Sequence, residues 1–146
     1  MLKRSMDVLD IHAITKKYNE DLVGCFIDNI YFSKHYWLFK LRCKTSGLVY
    51  LKIEPGIRFH RSKFEPRERR IDRFTAFMRK YLRGGRITDI EHIGWERIVS
   101  MEITRKDKYK LIAEIIPRGF LVLVDKDERI LYANKFAELR DRIIKI

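Results

Sequence analysis

The sequence predicts an α+β domain dominated by antiparallel sheet, arranged as a β-sandwich or open barrel with two to three helices, and three observations lead there. Two segments repeat apolar residues at the three-and-four spacing of a helix face. The remaining runs alternate apolar and polar residues at the period of a strand, and short Gly, Pro and Asp-Lys signals separate them. A length of 146 residues suits a single domain over 1–146, and a hydrophobic fraction of 46% supplies a packed core.

Taken in order, Val8, Ile11, Ile14, Tyr18 and Leu22 mark a first helix over Ile11 to Leu22, with Ser5, Asp7 or Asp10 as N-cap and Gly24 after its end. CFIDNIYF and HYWLFKLRC then alternate as paired strands, and LVYLKIE follows a Thr45-Ser46-Gly47 turn. Pro55-Gly56 turns the chain into IRFH, a short or edge strand. RSKFEPRERRIDR reads as a basic loop around Pro66 that becomes a second helix near Arg70. Ile71, Phe74, Phe77, Met78, Tyr81 and Leu82 form that helix's apolar face, and Gly84-Gly85 releases the chain. RITDIEHI, RIVSMEI, YKLIAEII, GFLVLVD and RILYA follow as strands, with turns at Lys106-Asp107-Lys108, Pro117-Arg118-Gly119 and Asp127-Glu128. NKFAELRDRIIKI has helical spacing, and its Ile143-Ile144 pair implies a chain that continues onto something apolar. No internal repeat or low-complexity tract is read from the sequence.

A formal charge of +12 on one small domain costs self-repulsion that an anionic ligand relieves, and nucleic acid is the commonest such ligand. No apolar run is long enough to span a bilayer, and MLKRSMDVLD lacks the apolar core of a signal peptide. Cys25 and Cys43 show neither metal-ligand spacing nor a disulfide framework, which favours a reducing cytosol, with a chance bridge between adjacent strands as the alternative. The abundant Lys, Arg, Glu and Ile suit a thermophile. His12, His35, His60 and His92 are dispersed, so neither a metal nor another cofactor is expected.

Positive charge concentrates in two places. One is the basic arm, Arg61, Lys63, Arg67, Arg69, Arg70 and Arg73; the other is the polar face of the second helix and its exit, Arg79, Lys80, Arg83 and Arg86. The sequence sets this charge beside Glu96-Arg97 in GWERIV. Arg97 offers a planar fork for a base or phosphate, and equally a surface ion pair. Trp95 is a core ring or a stacking platform, Asp10 on its own an ordinary N-cap, and Arg58 on its own a cross-strand ion pair.

LDIHAI, LVGCFIDNIY, IEPGIRFH, FMRKYLRGGRITDIEHIGWERIV and LIAEIIPRGFLVLVD occur in that order from Leu9 to Asp125. Together they resemble the NFACT-N domain. This is the N-terminal module of the fibronectin-binding-protein-A-like family, which includes RqcH and nuclear export mediator factor. The resemblance implies a fold similar to the N-terminal domain of formamidopyrimidine-DNA glycosylase. It also implies a role in ribosome-associated quality control, with tRNA and large-subunit rRNA as partners alongside further domains of a longer protein. The resemblance places functional positions on Asp10, as a base-edge acceptor or a partner that orients Arg97, and on Glu96-Arg97, where an Asp-Arg pair is usual, and makes Arg58 a candidate contact; His92 stands where glutamine is usual, Tyr81 where histidine is and Phe120 where asparagine is. A cytoplasmic, non-catalytic RNA-binding module is therefore expected. The competing readings are a glycosylase-like DNA-binding domain, which would lack the nucleophilic proline since the chain opens Met1-Leu2-Lys3, and a fibronectin-binding-like protein-interaction module.

Overall fold

Ile11, Tyr18 and Leu22 are buried along one face of α1 (Val8–Leu22), and the buried Thr15 hydroxyl donates to the Ile11 carbonyl at 2.7 Å. The computed structural model describes residues 8–33, 36–54, 58–62, 73–94, 97–115 and 120–133. After α1 come β1 (Phe26–Ser33), β2 (Tyr36–Cys43), β3 (Gly47–Glu54) and β4 (Arg58–Ser62). Then follow α2 (Arg73–Leu82), β5 (Arg86–His92), β6 (Ile98–Arg105), β7 (Asp107–Glu114), β8 (Leu121–Val124) and β9 (Ile130–Ala133). Among the described residues nine strands form one antiparallel sheet in the order β4-β3-β2-β1-β5-β6-β7-β8-β9, with two helices, so the α+β class read from the sequence holds. The helical spacing at 134–146 and most of the basic arm, 63–72, lie outside the described residues.

The sheet is two meanders joined at one point. β1 and β5 pair only through Phe26 and Arg86, then part. Each parted edge is met by the helix that begins the other half. On one side the Arg79 Nε donates to the Ile30 carbonyl at 2.7 Å; on the other the Asn19 Nδ2 donates to the Ile90 carbonyl at 2.8 Å. Carbonyls left behind where strands separate thus find partners on α2 and α1, as buried backbone groups must.

An internal repeat underlies this arrangement, contrary to the sequence reading. Thr15, Leu22, Gly24, Ile27 and Ile30 recur as Thr75, Leu82, Gly84, Ile87 and Ile90. Gly24 and Gly84 both end their helices in the left-handed region, at φ 98° and 84°, which glycine adopts at no steric cost. Their amides cross over, Gly24 to the Ile87 carbonyl at 2.7 Å and Gly84 to the Ile27 carbonyl at 2.8 Å. A second reciprocal pair links the Ile27 amide to the Gly85 carbonyl and the Ile87 amide to the Cys25 carbonyl, each at 2.8 Å. Both strands then carry a β-bulge at the same place, between Ile27 and Asn29 and between Ile87 and Asp89. The repeat escapes a sequence reading because so few of its positions retain the same residue.

The halves differ one residue past each glycine. Cys25 forms a disulfide with Cys43 on β2, where the sequence had suggested unpaired thiols. Closing a loop of sequence separation 18 contributes about 3 kcal/mol by restricting the unfolded chain. The counterpart of Cys25 is Gly85, where a Cβ would stand 2.6 Å from Ile103 Cγ2. One half closes its helix-strand corner covalently, the other by close approach.

The main core lies on the inner face, with Phe39, Leu41, Leu51 and Ile53 from the first meander and Met101, Ile103, Leu111 and Leu123 from the second. Phe74 of α2 meets both Trp37 of β2, at 5.5 Å between ring centroids, and Tyr132 of β9, at 5.3 Å. Strands distant in sheet order reach one ring, so the sheet curves around α2. The buried Thr75 hydroxyl accepts the Trp37 Nε1–H at 3.0 Å. β6, β7 and β8 also bury residues on their outer face, where Ile98, Ile112, Phe120, Val122 and Val124 form a smaller cluster.

Candidate nucleic-acid interface

Along β5 the structure separates what the sequence had set side by side. As a seven-residue extended strand, β5 holds the exit of α2 and the turn bearing Arg97 roughly 20 Å apart. The predicted contact residues therefore fall mainly at two places, with Arg58, Arg61 and Arg73 apart from both.

At the far end of β5, α1 lies along the strand. Asn19 Nδ2 donates to Asp89 Oδ1 and to the Ile90 carbonyl, both at 2.8 Å, and fixes the helix against it. About two helical turns toward the start of α1, His12 Nδ1 stands 3.5 Å from His92 Nδ1. This contact spans the repeat and ties the segment holding Asp10 to the end of β5. Asp10 lies in the first turn of α1 rather than at its cap, because the helix begins at Val8; there its charge complements the positive end of the helix dipole. The turn that follows β5 is anchored by the Ile93 amide on the Ile98 carbonyl at 3.0 Å and by the Ile115 amide on the Arg97 carbonyl at 2.7 Å. Arg97 is half-buried, while Trp95 and Glu96 lie outside the described residues.

Between helix and strand opens a cavity of about 260 Å³, lined by His12, Thr15, Lys16, Asn19, Glu20, Ile90 and His92. It offers ring nitrogens, an ammonium, an amide and a carboxylate to a polar ligand. The His12–His92 pair was invisible in the sequence because its members are 80 positions apart. Among the described residues no group of three or more His, Cys, Asp or Glu side chains comes together to hold a metal.

The second place is the exit of α2. Lys80, Arg83 and Arg86 are exposed, and Arg83 Nη2 reaches Asn29 Oδ1 at 3.1 Å. Arg79 differs. Its Nε is spent on the Ile30 carbonyl, its guanidinium lies 5.4 Å from the Tyr31 ring centre, and the side chain is half-buried. Burial, then the neighbouring charge of Arg83, hold its pKa below the ordinary arginine value, with Tyr31 opposing. A guanidinium still stays charged. Arg105 Nη1 donates to the Lys80 carbonyl at 2.7 Å and satisfies the helix end. Arg73 is exposed at the start of α2, and Arg58 and Arg61 lie in β4 opposite Glu54 and Leu51. Lys63, Arg67, Arg69 and Arg70 lie outside the described residues.

The family model for the NFACT N-terminal and middle domains matches residues 7–143. The chain belongs to the NFACT family. The ribosome quality control complex subunit NEMF of Mus musculus is 30% identical over 138 residues, covering 92% of this chain and 13% of that protein. Ribosome quality control complex subunit 2 of Schizosaccharomyces pombe is 28% identical over 138 residues, with 89% and 13% covered. This NFACT chain thus spans about 13% of the length of these curated relatives. The N-terminal part of the fibronectin/fibrinogen-binding protein from Streptococcus suis shares its fold, with a TM-score of 0.83, 23% identity and coverage of 90% of this chain and 54% of that one. The N-terminal domain of the fibronectin-binding protein PavA from Streptococcus pneumoniae has a TM-score of 0.79 at 24% identity, covering 88% and 53%.

Proposed function

We propose that this NFACT chain is a non-catalytic module that binds tRNA and the large ribosomal subunit in ribosome-associated quality control, in the rescue and C-terminal tailing of stalled nascent chains. The observation that carries the reading is the junction of α1 with β5, where His12, two residues after Asp10, meets His92, five residues before Arg97, beside a polar cavity. Support comes from the names of the relatives, which are ribosome quality control subunits, and from the +12 charge. Arg97 pairs with phosphate or stacks on a base, while Asp10 accepts from a base edge or orients Arg97, since a carboxylate repels the backbone. Glu96 keeps the charge of the family's aspartate with one more methylene. Lys80, Arg83 and Arg86 supply affinity that does not depend on sequence. The cytoplasm as its place, further domains of its own protein as partners and a likeness of its single curved sheet to the glycosylase N-terminal domain belong to the same reading.

Titrating salt against binding to tRNA and to a matched DNA duplex, with Arg97→Ala as comparison, tests it. The expected result is tighter binding to tRNA, lost preference in Arg97→Ala, and a salt slope lowered by about one unit. Equal affinity for both ligands, unchanged by salt or by the substitution, would overturn the reading.

A further inference from the structure

Where the two halves touch, one row of side chains crosses the outer face of the sheet. Arg86 pairs with Phe26, Phe26 with Arg42, and Arg42 with Leu48, and residues directly opposite in antiparallel strands point to the same side. Ile27, Leu41 and Val49, next in line on these strands, are buried on the inner face, so the row faces outward. Phe26 is 49% exposed although β1 lies inside the sheet, and Leu48 is 53% exposed.

A lone exposed apolar side chain needs no explanation. This phenylalanine has an arginine on each side, one strand spacing of about 5 Å away. Asp28, set out of register by the bulge, holds Arg42 Nη2 at 3.1 Å and Lys40 Nζ at 3.7 Å and so orients both cations across the face. The next row continues the pattern, with Lys40 opposite Tyr50; beyond it Leu38 and Tyr31 of the same face are buried and, among the described residues, only Lys52, 4.1 Å from the centre of the Tyr36 ring, adds a cation, so the open part of the face is the rows of Arg42 and Lys40. On the first meander's part of this face the acids among the described residues are Asp28 and Glu54; on the second meander's part, beyond Arg86, register adds Asp89, Glu91 and Glu102, so the cationic stretch is the one from Arg86 to Lys40.

Resting on the RNA-binding reading above, we propose that this face is a platform for single-stranded RNA, with an unpaired base stacked on Phe26 and the phosphates on either side held by Arg42 and Arg86. Alternating rings and cations on an open sheet match what unpaired nucleotides present, a π-face between negative charges. A duplex hides its base faces and would find only the cations. The platform is separate from the cavity between α1 and β5.

Fluorescence anisotropy with a labelled uridine octamer and a labelled RNA duplex tests the proposal on the 146-residue chain. Phe26→Ala should weaken octamer binding roughly tenfold, change duplex binding by less than about twofold and leave Tm near that of the unaltered chain, because the ring is exposed; Phe26→Trp should retain the octamer. Unchanged octamer affinity in Phe26→Ala, or equal loss on octamer and duplex, overturns the platform. So does a concentration-dependent dimer in sedimentation that Phe26→Ala abolishes, which gives the face to a second copy. A monomer that does not bind the octamer also overturns it and leaves the face to a protein partner. If tRNA binding depends on Arg97 and is indifferent to Phe26, the platform fails while the preceding reading stands; if the octamer binds through Phe26 and tRNA preference is absent, the reverse holds.

Discussion

Side by side, the two helix-glycine-strand units, one ending in Leu22-Val23-Gly24-Cys25-Phe26 and the other in Leu82-Arg83-Gly84-Gly85-Arg86, share a backbone and almost none of their chemistry. Leu, Gly, Ile and Ile return at equivalent places because each has a job the backbone dictates: filling the helix end, taking the left-handed φ, and facing the core before and after the bulge. Between them the residues have diverged. Asn19 answers to Arg79, Cys25 to Gly85, Phe26 to Arg86, and Phe32 to His92. A handful of positions is enough to set the frame, and the intervening ones are left for different uses: a His pair at the end of β5, an aromatic ring at the seam, a disulfide in one corner only.

If the frame is shared, its largest buried side chains should matter equally in both halves. Leu22 and Leu82 are 1% and 0% exposed at equivalent helix ends. Leu22→Ala and Leu82→Ala should each cost about 2–5 kcal/mol, the loss of burial plus a cavity. Urea unfolding of both variants measures this. Losses that differ several-fold would mean that the resemblance is one of backbone alone and that one half contributes much more of the stability.

Both helices, every strand and the α+β class were legible because they rest on local periodicity, as in the alternation of β2 and the stripe of α2. Observed starts differ by a few residues: α1 begins at Val8 rather than Ile11, which moved Asp10 from the cap into the first turn. What stayed hidden was pairing at long range. Nothing local in the sequence says that β1 and β5 meet at a single pair, that His12 finds His92, or that Cys25 finds Cys43. The interface suffered from the opposite error, in which adjacency along the chain stood in for adjacency in space. The end of α2 and Arg97 are near neighbours in sequence, yet a strand lies between them.

The corners after Gly24 and Gly84 give the next largest expected effect and contrast covalent closure with close packing. Reducing the disulfide, or replacing both cysteines by serine, should remove about 3 kcal/mol, which for a chain of this size lowers Tm by roughly 10 °C. Gly85→Ala tests the other corner, where Ile103 leaves no room for a Cβ. Overpacking of that kind costs about 1–3 kcal/mol. A thermal scan of each variant with and without reductant separates the corners. Reductant should shift the parent and Gly85→Ala alike and leave the serine variant unmoved; a parent indifferent to reductant would mean that the bridge does not close the first corner.

The smallest effects belong to the two clamps that hold each helix to the strand of the other half. Asn19 gives two hydrogen bonds to β5 and Arg79 one charged hydrogen bond to β1. Asn19→Ala and Arg79→Ala should each cost about 1–3 kcal/mol, since a carbonyl is left less satisfied. Arg79 also decides between structure and ligand binding. Charge on the second helix face drew attention to it from sequence, but its guanidinium is turned inward onto β1. Arg79→Ala should therefore lower Tm without changing the salt slope of RNA binding, whereas Lys80→Ala, on an exposed neighbour, should lower the slope by up to about one unit and leave Tm in place. The reverse pattern would make Arg79 a phosphate contact through the Nη groups that the Ile30 carbonyl leaves free, and break the equivalence with Asn19.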